Sequence, residues 1–410
     1  MPFLHWQSGD IAHSVAWQSQ SGWAPSKKVV EIDDTITADT AYRLASEGQG
    51  LIWQGDFQNA KQLLQAIKRR LTQRKAIDAT LPLPERFHRI RLARSQAART
   101  LGQLIILVEP GYQLKLRRAP AIAEACEAAY GLANQVSAKG APEVATEVTA
   151  ELNIKPSHEQ AFEGGFDLSK QPFALPLTEL IGVLSAHQWQ KQGVAVDSLN
   201  ARIYPQHGVF APTRQEYLTL IQQAALPKPC FKAFDIGTGT GVIAALLVSL
   251  GVKHVVATEL SPRALRCAEF NNNQLGLTEQ ISFARVNLFP PGRADLIVCN
   301  PPWLPGKVHS ALDAAIYDPD STMLKGFIEG VKHHLTAHGQ AWLVLSDLAE
   351  HLNLRSRETL LSWFKEAGLV VLEKHDLRPS HPKILDTTDP LHAQRAKEVT
   401  SLWRLSAETL

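Results

Sequence analysis

The chain has 410 residues, of which 45% are hydrophobic and 20% are charged, and its formal net charge is +2. This length suits two soluble domains, each with its own hydrophobic core. No apolar run approaches the roughly 18 residues of a membrane span, and the first residues lack the basic and apolar pattern of a secretory signal. Four scattered cysteines argue against a zinc site or a disulfide framework, which predicts a cytoplasmic protein without a bound metal.

The small net charge conceals a strongly basic segment. Residues 61–118 hold 14 Lys or Arg and three Asp or Glu, a local charge of +11, so the rest of the chain carries −9. A basic surface of this kind attracts phosphate backbones, although a solvated helical face is the commoner meaning of such a pattern. The segment is therefore a predicted docking surface for RNA.

In chain order, the first predicted elements are two helices around a short connection in residues 36–75. Asp56 is the predicted N-cap of the second helix, because its side chain can accept hydrogen bonds from the first turn. A strand is predicted at residues 101–109. A further helix is predicted at residues 119–131, where Gly131 ends it.

Three regions follow from the changes in pattern. Residues 1–136 are predicted to form a smaller, basic α/β domain that docks the substrate. Residues 137–172 are small, acidic and poorly periodic, which predicts a linker or a surface insertion. In residues 173–410, apolar runs alternate with helical stretches as in a parallel α/β sheet. Because ligands bind such folds at the carboxyl ends of the strands, the polar residues that follow each strand form the candidate site.

The first of these strand ends carries a glycine-rich stretch. Gly237, Gly239 and Gly241 follow the apolar run KAFDI, and they permit positive φ and a close approach of the backbone to a ligand. The end of the next strand places Glu259, whose carboxylate can accept hydrogen bonds from both hydroxyls of a ribose. The spacing G-x-G-x-G differs from the dinucleotide fingerprint G-x-G-x-x-G. These features alone leave an S-adenosylmethionine site and a nicotinamide site both open.

The stretch NPPW at residues 300–303 ends the fourth strand, beside the glycine loop. Two acceptors aimed at the hydrogens of a planar NH₂ group draw its nitrogen toward tetrahedral geometry and restore its nucleophilicity. The side-chain oxygen of Asn300 and the carbonyl of Pro301 are the candidate acceptors, in a backbone that Pro302 helps to hold rigid. Trp303 offers a flat face to a base or an amide plane. The stretch therefore predicts N-methyl transfer.

On these motifs, residues 201–405 resemble the class I S-adenosylmethionine-dependent methyltransferases of the N-P-P-[YFW] group. This group includes release-factor glutamine methyltransferases, ribosomal-RNA guanine methyltransferases with a small catalytic domain, and adenine-N6 enzymes. The resemblance implies a Rossmann-like, mostly parallel seven-stranded sheet and S-adenosyl-L-methionine as the cofactor. It also implies a catalytic tetrad, formed by Asn300, Pro301, Pro302 and Trp303.

The same resemblance implies the remaining site residues. The cofactor site would comprise Asp235, Gly237, Thr238, Gly239, Gly241, Glu259, Asn287 and Asn300. Residues 206–217 (QHGVFAPTRQEY) resemble a lid over cofactor and substrate, so Phe210, Thr213 and Trp303 are the predicted substrate contacts. The chain departs from its relatives at Asn287, where an Asp usually faces the cofactor adenine, and at Trp303, where Tyr or Phe is commoner.

Four hypotheses for the function remain. The first is N-methylation of an exocyclic amino group of a nucleobase, in ribosomal RNA. The second is N-methylation of a protein glutamine or asparagine amide, since the tetrad treats both targets alike. A binding module without catalysis is disfavoured by the intact tetrad and glycine loop. A nicotinamide-dependent dehydrogenase is disfavoured by the glycine spacing and by the tetrad.

Overall fold

The computed structural model describes residues 1–72, 77–131, 167–308, 310–380 and 386–408. The chain forms two compact units, one of residues 1–75 and 96–187, the other of residues 76–95 and 188–410. Most of the predicted linker at residues 137–172 lies outside the described residues. Among the helices that are described, none combines the length and the apolarity needed to cross a membrane.

The first unit is an α/β domain built on a six-stranded mixed sheet. Its strands are β1 Phe3–Ser8, β2 Ile11–Trp17, β3 Val29–Ile32, β4 Gly50–Trp53, β5 Leu104–Val108 and β6 Phe173–Pro176. Its helices are α1 Ala38–Ser46, α2 Phe57–Thr72, the end of α3 Leu83–Leu101, α4 Ala123–Tyr130 and most of α5 Leu177–Gln192. The spatial order is β1-β2-β6-β5-β4-β3, with β3, β4 and β5 mutually parallel. The predicted α/β class of the N-terminal region is confirmed.

Helix α2 forms for the reasons that the sequence suggested. Asp56 Oδ1 accepts hydrogen bonds from the backbone N–H groups of Gln58 and Asn59, at 2.8 and 3.4 Å, as an N-cap does. Leu63 and Ile67, one helical turn apart, are buried in the core of this unit. The connection before α2 contains strand β4, which the sequence analysis did not predict.

The boundary near residue 173 differs from the prediction. Strand β6 pairs in parallel with β2 and antiparallel with β5, so it completes the sheet of the first unit. Residues 173–187 therefore group with the N-terminal domain, although the sequence analysis assigned them to the C-terminal one. Residues 76–95 belong to the second unit, although they were predicted to belong to the N-terminal domain. The first part of α3 packs within that second unit.

The second unit is a doubly wound α/β domain. Its strands are β7 Val194–Val196, β8 Ala201–Ile203, β9 Lys232–Ile236, β10 His254–Thr258, β11 Ile281–Ala284, β12 Ala294–Cys299, β13 Leu335–Ser346, β14 Leu369–Leu377 and β15 Thr400–Ala407. Besides the start of α3, its helices are α6 Glu216–Gln223, α7 Val242–Ser249, α8 Pro262–Leu275, α9 Ala311–Ala314, α10 Thr322–His334, α11 Leu348–His351, α12 Arg357–Glu366 and α13 His392–Arg395. Strands β7 and β8 form a separate hairpin.

The large sheet of this unit has the order β11-β10-β9-β12-β13-β15-β14. All its strands are parallel except β15, which is antiparallel to both β13 and β14. This confirms the predicted mostly parallel seven-stranded sheet. In the register, Ile236 of the central strand β9 pairs with Thr258 on one side and Cys299 on the other. The ends of β9, β10 and β12 therefore lie together at one edge of the sheet.

Candidate active site

The loop after β9 turns on glycines with left-handed backbone angles. Gly237 has a φ of 72° and Gly239 a φ of 57°, which side chains with a Cβ rarely adopt. The backbone N–H groups of Gly237 and Thr238 both donate to the carbonyl of Thr258, at 2.9 Å, and this ties the loop to the end of β10. Apart from its chain neighbours, no described residue has an atom within 4 Å of the place where a Cβ would stand at Gly239, so a ligand can approach the backbone there.

Asp235 lies beneath this loop and is completely buried. Its Oδ2 accepts hydrogen bonds from Thr238 Oγ1 at 2.6 Å and from the backbone N–H of Ala244 at 3.0 Å, which joins the loop to helix α7. Its Oδ1 has no partner among the described residues. Burial raises the pKa of this carboxyl to about 7, and the nearby charge of Glu259 acts in the same direction.

Glu259 directly follows β10 and faces the glycine loop. Its Oε2 accepts a hydrogen bond from the backbone N–H of Gly239 at 3.2 Å, so two predicted cofactor elements meet. Its Oε1 accepts from the N–H groups of Leu260 and Ser261. Asn287, after β11, is exposed, and the next residue is bound to β10, because Thr258 Oγ1 donates to the carbonyl of residue 288 at 2.7 Å.

These donors and acceptors fit the predicted cofactor. Two carboxylates suit its ammonium group and its ribose hydroxyls, which are all hydrogen-bond donors. The orphaned, buried Oδ1 of Asp235 is an acceptor that needs such a donor. The open backbone at Gly239 leaves room for a bulky group.

The tetrad lies where the sequence predicts it. Strand β12 ends at Cys299, Asn300 follows at the edge of the sheet, and Pro301 is buried. The indole Nε1 of Trp303 donates a hydrogen bond to the side-chain Oδ1 of Asn300 at 2.9 Å. Trp303 itself is half-buried and packs against the hydrophobic cores on both faces of the sheet. The amide of Asn300 is thus oriented by the fourth residue of its own motif.

Arg214 joins the lid segment to the tetrad, a contact that sequence reasoning missed. Its guanidinium carbon lies 5.0 Å from the ring centroid of Trp303. The same guanidinium donates to Glu216 Oε1 at 2.7 Å and to Glu398 Oε1 at 3.1 Å, and both carboxylates are buried. A cation held over an indole face is attracted by the ring quadrupole. Arg214 therefore restrains Trp303 from the lid side.

The predicted substrate contacts on the lid lie at the surface. The Phe210 side chain is 44% exposed, and Thr213 is exposed as well. Between them Pro212 is buried, and Val209 packs against Ala264 of α8. An exposed aromatic ring suits a substrate contact, which stays a prediction for both residues. The local sequence gave no signal for the role of Arg214, because one of its partners, Glu398, lies 184 residues further along the chain.

The predicted RNA surface at residues 61–118 is divided between the two units. In the part that belongs to the second unit, every arginine of α3 has an intramolecular partner: Arg86 donates to Gln394, Arg89 pairs with Glu85, Arg91 with Asp313 and Arg94 with Asp389. This half of α3 is therefore engaged within its own domain, and it offers less free charge than its composition suggests.

The fold and the arrangement of these residues are those expected of a class I methyltransferase domain. Residues 200–374 match the family model described as the methyltransferase small domain. This match covers less than half of the chain, but it spans the glycine loop, Glu259 and the tetrad, and it agrees with the predicted methyltransferase family and with S-adenosyl-L-methionine as the cofactor of this domain.

Curated relatives agree on this class of domain. The release factor glutamine methyltransferase of Cereibacter sphaeroides is 36% identical over 109 residues, which are 25% of this chain and 39% of that protein. The protein of the same name from Deinococcus radiodurans is 33% identical over 168 residues, 39% of this chain and 59% of its own. The ribosomal protein L11 methyltransferase of Pelotomaculum thermopropionicum is 37% identical over 75 residues, 18% of this chain and 24% of its own. The chain thus spans less than two thirds of the length of each of these relatives.

Proposed function

We propose that this chain is an S-adenosyl-L-methionine-dependent N-methyltransferase that modifies an exocyclic amino group of a nucleobase in ribosomal RNA. The observation that carries the proposal is the meeting of three strand ends at one sheet edge. The glycine loop follows β9, Glu259 follows β10, and Asn300 to Trp303 follow β12. The first two elements suit a cofactor, and the third suits an amino group.

The cofactor would be held by carboxylates and backbone, and it supplies an electrophilic methyl group when bound. Glu259 would accept hydrogen bonds from the ribose hydroxyls, in exchange for the local N–H groups that it now binds. Asp235 Oδ1 would accept from the ammonium group, through an oxygen that has no other partner among the described residues. Asn287 would face the adenine, accepting through its amide oxygen.

Asn300 and Pro301 would activate the amino group. An amide oxygen accepts two hydrogen bonds, and Trp303 occupies one position on Asn300 Oδ1, so a second remains for a substrate N–H. The Pro301 carbonyl is the other acceptor, and its buried, proline-fixed backbone needs no reorganisation as positive charge develops on the nitrogen. The nitrogen becomes acidic once methylated, so it can lose its proton without a strong base.

Helix α2 supports an RNA substrate. Its solvent side carries Lys61, Lys68 and Arg69, all exposed, and none of them has an ion-pair partner among the described residues. The neighbouring cations differ, since Arg70 pairs with Asp39 and Arg118 with Asp56. Unpaired cations on one helix face are what a phosphate backbone neutralises. An RNA substrate in the ribosome would also agree with the cytoplasmic location expected from the cysteines.

Methylation of a protein amide is the second candidate, because the most similar relatives include proteins named release factor glutamine methyltransferases. A glutamine side chain also presents a planar NH₂ to Asn300. In this case the face of α2 would have no part in substrate binding.

One experiment separates the two candidates. Purified protein is incubated with tritiated S-adenosyl-L-methionine and a cell extract, and the products are digested with ribonuclease or with protease. We expect the label to become acid-soluble with ribonuclease. Release by protease alone would replace the RNA substrate by a protein amide, and no label in either fraction would refute the proposed activity.

A further inference from the structure

The first part of helix α3 packs beside the catalytic tetrad. Phe87 and Ile90 are 2% and 3% exposed, and they share a hydrophobic cluster with Leu304, the residue after Trp303. The ring of Phe87 also lies 6.4 Å from the ring of Tyr317, centroid to centroid. This half of a helix with many arginines is therefore anchored by apolar residues to the loop that follows the tetrad.

Arg91 makes three different contacts with that loop. Its guanidinium carbon lies 3.6 Å from the ring centroid of Tyr317, which is close stacking. Nη2 donates a hydrogen bond to the backbone carbonyl of Lys307, and it lies 3.7 Å from a carboxylate oxygen of Asp313. The side chain is only 11% exposed, so these contacts are largely shielded from water.

Backbone hydrogen bonds connect the residues that Arg91 contacts to the end of the tetrad. The N–H of Leu304 donates to the carbonyl of Ile316 at 3.2 Å, and the N–H of Asp318 donates to the carbonyl of Leu304 at 2.9 Å. Tyr317 thus lies opposite Leu304 in a short parallel bridge. Because backbone hydrogen bonds join the two segments, a displacement of Tyr317 would also move Leu304, which is bonded directly to Trp303.

Glycine at position 306 is what allows Arg91 to approach. A Cβ added to Gly306 would overlap Nη1 of Arg91 and would stand 3.3 Å from the ring of Tyr317. The guanidinium therefore packs against both the Tyr317 ring and a bare stretch of backbone. A lysine ammonium has neither this plane nor a fork of donors, so it cannot replace the arginine here.

We propose that Arg91 is a positioning residue of the active site, which fixes Lys307 and Tyr317 and, through the bridge from Tyr317 to Leu304, holds Trp303 and the carbonyl of Pro301 in place. The inference rests on the proposed methyltransferase function, since it assigns the tetrad as the catalytic element. It gives one arginine of the basic segment a role in catalysis that does not involve contact with the substrate.

The test compares two arginines on the same helix. Arg91→Gln and Arg91→Lys are measured beside Arg89→Gln, because Arg89 is 59% exposed and its ion pair is with Glu85, one turn away on the same helix. With tritiated S-adenosyl-L-methionine and the extract fraction that the wild type labels, both Arg91 variants should lose about 10- to 100-fold in kcat. The KM and the Kd for the cofactor should stay within twofold, and Arg89→Gln should match the wild type.

Hydrogen exchange gives a readout that does not need activity. The backbone amides of Leu304 and Asp318 should exchange faster in Arg91→Gln than in Arg89→Gln, because both amides are bound across the loop that Arg91 fixes. A wild-type protein that transfers no methyl group would refute the proposed function, while this exchange measurement would still test the contact itself.

Two results would overturn the inference. An Arg91→Gln variant with normal kcat and normal exchange would show that the loop needs no support from the helix. A raised KM with an unchanged kcat would make Arg91 a substrate contact instead. If Arg91→Gln does not fold, Arg91→Lys carries the same measurements, since it keeps the charge and most of the buried stem.

Discussion

Trp303 donates its indole hydrogen bond to the Oδ1 of Asn300, across a distance of 2.9 Å. Since an amide NH₂ cannot accept this bond, the contact determines which end of the Asn300 amide is the acceptor at that position. A phenylalanine at position 303 would supply the flat ring but not the donor. The departure from the commoner Tyr or Phe therefore has a chemical consequence for the neighbouring amide of Asn300.

Trp303→Phe tests this consequence. Because one hydrogen bond is worth about 0.5–1.5 kcal/mol, the variant should lose roughly threefold to tenfold in kcat, with unchanged affinity for the cofactor. Steady-state methyl transfer measures the effect. Trp189→Phe is the matched control, since Trp189 is 48% exposed, and it should have no effect. Equal kcat values for wild type and Trp303→Phe would show that the indole N–H does not contribute to catalysis.

Glu259→Ala tests the ribose contact. The variant leaves the ribose hydroxyls without a charged acceptor, and the loss of such hydrogen bonds typically costs about 1.5–3 kcal/mol of binding free energy. Calorimetric titration with S-adenosyl-L-methionine should show this as a Kd raised by about 10- to 100-fold. Glu279→Ala, an exposed glutamate in the same domain, should bind as tightly as the wild type. An unchanged Kd in Glu259→Ala would exclude the residue from the site.

Asp235 should make stability depend on pH. Its pKa is raised from 3.8 to about 7 by burial, so the folded state holds a proton that the unfolded state releases. The free energy of unfolding should therefore fall as the pH rises from about 4 to about 7, through this group. Asp235→Asn cannot titrate, so its Tm relative to the wild type should increase over that range, whereas Asp10→Asn, at an exposed site, should track the wild type. Parallel Tm curves for wild type and Asp235→Asn would contradict the raised pKa.

The exposed cations of α2 should govern the salt dependence of RNA binding. Each phosphate contact contributes about −0.7 to −0.9 to the slope of log affinity against log salt, so Lys61→Gln, Lys68→Gln and Arg69→Gln together should flatten it by about 2 to 3. Filter binding of extracted ribosomal RNA measures the slope.

The control for that measurement removes the same charge elsewhere on the same unit. Arg43, Lys115 and Lys170 are exposed, but each is paired with a carboxylate. Their replacement by glutamine should change the slope little, because these cations already have counter-charges. Equal slopes for the α2 triple variant and the wild type would favour the protein substrate.

Most of the second unit could be predicted from local patterns. The alternation of apolar runs and helices, the glycine spacing and the proline stop after Cys299 place the three strand ends in order along the chain. Parallel pairing then brings these ends to one edge, as the register of Ile236 with Thr258 and Cys299 shows. The helix signals were equally local, for example Ser261, whose side chain accepts from Ala264 as an N-cap.

The contacts that tune the site could not be predicted in this way. Arg91 donates a hydrogen bond to Lys307, which lies 216 residues further along the chain, and no sequence pattern predicts a contact between these two residues. Strand β4 was missed because a buried run of four residues has no periodicity to separate it from a connection. Strand β6 was assigned to the wrong side of the boundary, since its pairing with β2 depends on residues at the other end of the domain.

If Asn300 activates an amino group for methyl transfer, the rate of that transfer must depend on its side chain, which Asn300→Ala removes. Initial rates are measured with tritiated S-adenosyl-L-methionine and extracted ribosomal RNA, beside Asn273→Ala, an exposed asparagine on α8. Calorimetry on the same samples measures cofactor affinity. We expect a loss of about 10²–10³ in rate for Asn300→Ala, with cofactor affinity retained and Asn273→Ala fully active. Transfer by Asn300→Ala at near the wild-type rate would contradict this role of Asn300.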